Sequence, residues 1–238
     1  MQCLGLTIER RRCAIEAVGA TGYCEQHQPD LTQDQQAIAV SQDRGVAAVL
    51  HRLCGNPSRH LIPDDAKFAV PSWLRKSPTR TVIHHLLHDA DSMARWHAAF
   101  TLRKRRDPQA IEPLWEALQH DLIALVRQQS AVALGKIGTM AVLSPLIEAL
   151  WHDRDPAVRQ ACAIALGNLG YAIAARDLAN VLEREQAVFV RWDCVLALGQ
   201  VGDLSVEPLL AQMTNGERTQ VVRHACAEAL MEIRRRGQ

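Results

Sequence analysis

The stretch DRDPAVRQACAIALGNLG, residues 153–170, is one copy of a pattern that returns every thirty-two residues. Arginine recurs at Arg95, Arg127, Arg159, Arg191 and Arg223. Leucine recurs at Leu102, Leu134, Leu166, Leu198 and Leu230, and an acid at Asp89, Asp121, Asp153, Glu185 and Glu217. A fixed period of this length is the signature of a solenoid, in which each unit covers its apolar face by stacking on its neighbours.

Within the unit, apolar or small residues at Val158, Cys162, Ala163, Ala165, Leu166 and Leu169 draw one face of an α-helix. Asp155 can cap its start and Pro156 suits its first turn. Gly167 and Gly170 stand at its far end, where a helix can stop. A shorter apolar segment, 143–150, precedes it and opens at Ser144-Pro145; Pro113 and Pro208 open its counterparts. Each unit therefore reads as a short helix followed by a longer antiparallel one. The expected fold class is all-α, an α-solenoid of about five helix pairs over residues 79–238. The arginine and acid of every unit read as a structural charge ladder at the turn, because a ligand site would differ between units.

The pattern D-x-D-P-x-V-R-x-x-A-x-x-A-L-G-x-L-G resembles the HEAT-like repeat first associated with phycobilisome lyases. The resemblance covers about two-thirds of the chain, from Thr79 onward. It implies second helices that line a concave side. It leaves activity open, since such repeats serve bilin lyases, scaffold subunits, DNA glycosylases and a di-iron hydroxylase alike.

Residues 1–30 read as a separate module. Cys3, Cys13, Cys24 and His27 are spaced C-x9-C-x10-C-x2-H, and three thiolates with one imidazole suit tetrahedral Zn²⁺. Arg10, Arg11 and Arg12 beside Cys13 favour its thiolate. The segment resembles small zinc-binding modules of pattern C…G-x-x-C…G-x-C-x-x-H, with Arg11 in place of a usual glycine. Four protein ligands leave no open position, so the expected zinc is structural. Residues 31–78 read as a helical connector or degenerate capping repeat, with Thr32 and Gln35 as a capping box and Pro63, Pro71 and Pro78 as breaks.

Formal net charge is +1, which argues against indiscriminate nucleic-acid binding. No apolar run reaches transmembrane length and no hydrophobic signal segment opens the chain. Cys162, Cys194 and Cys226 share one repeat position and read as small core residues. With the zinc module they point to a reducing, cytoplasmic setting.

No catalytic set emerges. The chain contains no His-Glu dipeptide, which the hydroxylase chemistry requires. Trp192-Asp193 is the nearest approach to a glycosylase's aromatic and carboxylate, and His84 with His88 reads as solvated or capping. The expected protein is not an enzyme.

Candidate binding residues lie on the second helices. One residue after each arginine stand Trp96, Gln128, Gln160, Trp192 and His224; five after stand Phe100, Val132, Ile164 and Leu196. Both rows lie away from the core stripe and form a candidate groove for a partner segment. Packing against neighbouring first helices is the competing reading of the same rows. The leading function is a non-catalytic protein–protein interaction or scaffold module. One alternative, implied by the resemblance, is a bilin (tetrapyrrole) lyase or chaperone. A second is nucleic-acid binding through the zinc module and the basic run Arg103, Lys104, Arg105 and Arg106.

Overall fold

The computed structural model describes residues 70–217 and 219–237. The expected zinc ligands and most of the expected connector lie outside them. The described residues form helices and no strand: α1 (Ser72–Lys76), then five pairs. The pairs are α2 (Thr79–His88) with α3 (Ser92–Arg105), α4 (Ile111–His120) with α5 (Ala124–Ile137), α6 (Leu143–His152) with α7 (Pro156–Leu169), α8 (Ala175–Arg184) with α9 (Val188–Val201), and α10 (Glu207–Gly216) with α11 (Gln220–Arg236). The first helix of each pair is termed outer and the second inner; a single 3-10 turn precedes each outer helix from α4 onward.

The elements follow from the residues. Asp91 and Asp155 accept from the backbone N–H groups of Met93 and Ala157 and so cap α3 and α7. Pro156 occupies the first turn of α7. Gly138 and Gly170 end α5 and α7 in the left-handed region, with φ of 83° and 74°. Each outer helix points its leucines inward: Leu114, Leu118, Leu146, Leu150, Leu178 and Leu182 are all fully buried. They meet the Leu102–Leu230 row of the inner helices, and every member of that row is buried. The result is one continuous core rather than five small ones.

Neighbouring inner helices also pack directly on one another, α3 on α5, α5 on α7, α7 on α9 and α9 on α11. Their seam is lined with small residues. A Cβ placed on Gly135, Gly167 or Gly199 would stand 2.7, 2.9 or 3.2 Å from the Cβ of Ala165, Ala197 or Ala229. At Gly135 and Gly167 only hydrogen fits without a shift of the neighbouring helix, and at Gly199 a Cβ would be a tight contact.

The charge ladder is present, and it reaches further than the turn of its own unit. The arginine of one unit clamps the acid of the next. Arg127 Nε and Nη2 donate to Asp153 Oδ2 and Oδ1 at 2.7 and 3.0 Å. Arg95 holds Asp121 at 2.6 and 3.0 Å, and Arg159 holds Glu185 at 2.7 and 2.9 Å, in the same forked geometry. Arg191 pairs with Glu217. The third guanidinium nitrogen turns back to its own unit: Nη1 of Arg95, Arg127 and Arg159 donates to the carbonyls of Asp89, Asp121 and Asp153. Each acid also accepts from the backbone N–H two residues on, as Asp153 does from Asp155. Thirty-two residues before Arg95 the sequence has Pro63, and Asp89 accepts instead from His85 Nδ1 at 2.9 Å.

Arg127→Ala leaves the Asp153 carboxylate, 6% exposed, without its guanidinium. Loss of one partner of a buried pair is expected to cost about 3–5 kcal/mol. Arg127→Lys keeps the charge but not the fork and should recover only part of this in thermal denaturation. A second stability change is expected at the end of α3. Arg106 stands where the next three units have glycine and takes a left-handed φ of 54°. Arg106→Gly should raise stability by about 0.5–1 kcal/mol, the relief of a strained φ less the added chain entropy. An unchanged or lower melting temperature would contradict this.

Candidate functional site

The free side of the inner helices is set by their periodicity. On a helix, residues two before, one after and five after the arginine are spaced i, i+3, i+7 and share a face. In chain order the first of these rows is Met93, Leu125, Ala157, Phe189 and Val221. Met93, Leu125 and Phe189 are 38%, 56% and 45% exposed, a large exposure for such side chains. This row escaped the reading of the sequence, because its members differ in size and sit in the first helical turn. The i, i+3, i+7 relation to the tryptophans was the signal that could have found it.

The two rows expected from sequence lie beside it with unequal exposure. Val132, Ile164, Trp192 and Leu196 are half-buried, and Val132, Trp192 and Leu196 pack against the core at one edge. Gln128 and Gln160 are buried, and His224 is exposed beside Glu228 at 3.3 Å. Trp96 and Phe100 differ from the expectation of freely projecting rings. They are buried, with centroids 5.4 Å apart and planes 26° apart. The Arg103 guanidinium lies 4.4 Å above the Phe100 ring. In these two rows the exposed apolar surface therefore begins at α5.

The basic run likewise is not one exposed patch. Arg103 is buried over Phe100. Arg105 donates to the carbonyls of Leu74, Arg75 and Ser77, closing the end of α1. Lys104 and Arg106 are the exposed members. Backbone carbonyls at the end of α1 hold Arg105, and the Phe100 ring meets both Arg103 and the Lys104 ammonium, 5.4 Å from its centroid, so three of the four charges are engaged.

One acid on the inner helices is unusual. Asp193, next to Trp192, is 2% exposed and accepts from Gln160 Nε2 at 2.6 Å across the α7–α9 seam. Burial pushes its carboxyl up to about 7, against the opposing pull of the Gln160 hydrogen bond. Its carboxyl faces the seam, so it does not join Trp192 in an open cleft. The three repeat-position cysteines are fully buried and free, and burial raises their thiols, Cys226 to about 11. They are packing residues. Among the described residues, no group of three His, Cys, Asp or Glu side chains could hold a metal ion. Two open clefts of about 410 and 430 Å³ are lined by cap and clamp residues, Arg236 in one and Asp153, Arg159 and Glu185 in the other. Among the described residues no helix is long and apolar enough to cross a membrane.

Comparison with known proteins places this geometry. HEAT repeats match residues 79–167 and 143–231. The chain belongs to the HEAT-repeat family. A solved structure of the complex of CpcE and CpcF of phycocyanin lyase from Nostoc sp. PCC7120 is similar, at 25% identity and a TM-score of 0.59. The similarity covers 73% of this chain and 70% of that one. Among curated proteins none matches.

The Asp193 carboxyl gives a signed pH dependence. Its folded value of about 7 lies above its ordinary 3.8, so the folded state holds a proton the unfolded chain releases. The stability it contributes is complete below its ordinary value and is lost as pH rises through about 7. Asp193→Asn keeps a partner for Gln160 and removes the charge. Its melting temperature should exceed that of the parent by more at about pH 8 than at about pH 4.5. Equal differences at the two pH values would contradict the assignment.

Proposed function

We propose that this chain is a non-catalytic binding module that holds a segment of a partner protein on the free face of its inner helices. The observation that carries the reading is the alignment of exposed Leu125 and Phe189 with half-buried Val132, Ile164, Trp192 and Leu196. Large apolar side chains left open in a row beside half-buried apolar rows favour a protein interface; Met140, Ile173 and Leu204 are exposed too, but they stand in the 3-10 turns and not on this face. Tryptophan at its centre suits an anchor. The similarity to a solved two-protein complex supports a role among protein partners. A non-catalytic role fits the inner helices, where the one perturbed acid is hydrogen-bonded to Gln160 inside a seam.

A second reading, a bilin lyase or tetrapyrrole chaperone, is favoured by the phycocyanin lyase similarity. The two readings part on ligand chemistry. Tetrapyrrole binding would appear as a shifted visible absorption band when an open-chain tetrapyrrole is added to the purified chain. Protein binding would appear as a stable complex without colour.

Leu125→Asp combined with Phe189→Asp should abolish partner capture from the native host while leaving the melting temperature within a few degrees, because both side chains are largely solvated. Trp96→Ala is the contrasting change. Its ring is buried on Phe100, and about 3–5 kcal/mol of stability should be lost. Partner capture that survives the double substitution would exclude this face.

A further inference from the structure

On α2, Val82 and Leu86 are buried, and Arg80, His84 and His88, spaced i, i+4 and i+8, are exposed on the opposite side. Ring centroids lie 4.9 Å apart for His84 and His88, 6.2 Å for His84 and His85, and 4.9 Å for His85 and Trp73 of α1. An aromatic row thus runs without a break from α1 to the end of α2. Trp73 is 51% exposed, although tryptophan is highly buried on average. Arg75, Lys76 and Arg80 are exposed and make no ion pair among the described residues. No acid occurs between Ser72 and His88. Asp89, the next one, is hydrogen-bonded to His85 at 2.9 Å. On α4, which packs on α2, the positions matching Arg80 and His84 hold exposed Glu112 and Glu116. The cationic surface is therefore bounded on that side and opens toward α1.

We propose that this surface of α1 and α2 binds single-stranded nucleic acid, with Trp73, His84 and His88 as stacking platforms and Arg75, Lys76 and Arg80 on the phosphates. Cations alone would serve any polyanion, an acidic peptide or an anionic membrane included. The exposed aromatic row among them selects bases, because every base has a π-face and stacking on rings tolerates any sequence. Bases in a duplex are stacked on one another, so the strand that offers its faces to side-chain rings is single. The Glu112 and Glu116 carboxylates repel phosphates and confine the strand to the α1 side of α2. Three phosphate contacts set the salt dependence. At roughly 0.7 per contact on a single strand, log K falls against log salt with a slope of about −2. The surface shares no residue with the face of Leu125 and Phe189, so it stands or falls independently of the protein-binding reading.

The test is fluorescence anisotropy of the full chain with labelled oligo-dT and oligo-rU of about twelve nucleotides, at several salt concentrations. Either strand binding supports the proposal, and their relative affinity separates DNA from RNA. Trp73→Ala should lose roughly five- to a hundredfold in affinity, the effect of one stacked base, with the salt slope unchanged. Trp73→Leu, which keeps an apolar body against His85, should lose affinity likewise. Arg75→Ala/Lys76→Ala/Arg80→Ala should bring the slope close to zero. Leu125→Asp/Phe189→Asp should bind as the parent does. Melting temperatures of all variants confirm that the fold is kept. Polyglutamate and vesicles of phosphatidylcholine with phosphatidylserine serve as competitors and should displace little of the oligonucleotide. Equal competition by either polyanion, or affinity unchanged in both Trp73 variants, would overturn the assignment to nucleic acid. Binding insensitive to the triple substitution, or no binding at low salt, would overturn the surface itself.

Discussion

The forked hydrogen bond from one unit's arginine to the next unit's carboxylate is the interaction on which the stack depends. Leucine rows supply most of the burial, but apolar contact is non-directional and would tolerate sliding. A guanidinium fork does not. Arg127 satisfies Asp153 through Nε and Nη2 and returns Nη1 to the carbonyl of Asp121. One side chain thus touches the turns of two successive units and fixes their separation and rotation together. With Arg127 3% exposed, the pair also carries the risk of any buried charge: it contributes register more surely than stability. The backbone N–H of Asp155 fills a further lone pair of the same carboxylate, so that the buried acid is well satisfied.

That register brings the inner helices close enough to leave only glycine and alanine between them. The seam then decides which polar side chains can exist beside it. Gln160 and Asp193 stand across it from one another and are buried as a pair. In the first unit the seam glycine is replaced by Arg103, and the left-handed glycine by Arg106. Both are accommodated locally, one by stacking on Phe100 and the other by adopting the strained φ.

Period and helix pairing were legible in the sequence because the repeat presents the same evidence five times. The ladder's residues were legible for the same reason, but its reach was not. A spacing of twenty-six residues between Arg127 and Asp153 and one of six between Asp121 and Arg127 are equally regular along the chain. Only the stack shows that the carboxylate comes from the next unit and the carbonyl from the same one. Asp193 was unreadable in another way. An aspartate beside a tryptophan reads as surface chemistry, and its burial follows from the closeness of two helices, which no local pattern encodes. Trp96 and Phe100 read as groove candidates because helical angle sets their rows away from the core stripe; in the first unit the two rings are buried and stack on each other.

These cases divide the repeat into positions that build and positions that vary. Where a residue recurs, as the leucine row and the clamping Arg95, Arg127, Arg159 and Arg191 do, its partners recur too. Where the same position holds Trp96, Gln128, Gln160, Trp192 and His224, no shared partner dictates the choice. Even there, variation alone does not establish a binding role: Gln160 is tied to a buried acid across the seam, while Trp192 remains half-buried at the edge of the core. The residues that qualify are those that vary, face outward and have no structural partner demanding their identity. Leu125 and Phe189 meet all three conditions, being exposed apolar side chains at a position that alanine fills in the unit between them. If packing alone were served, Ala157 shows that a methyl group would suffice there.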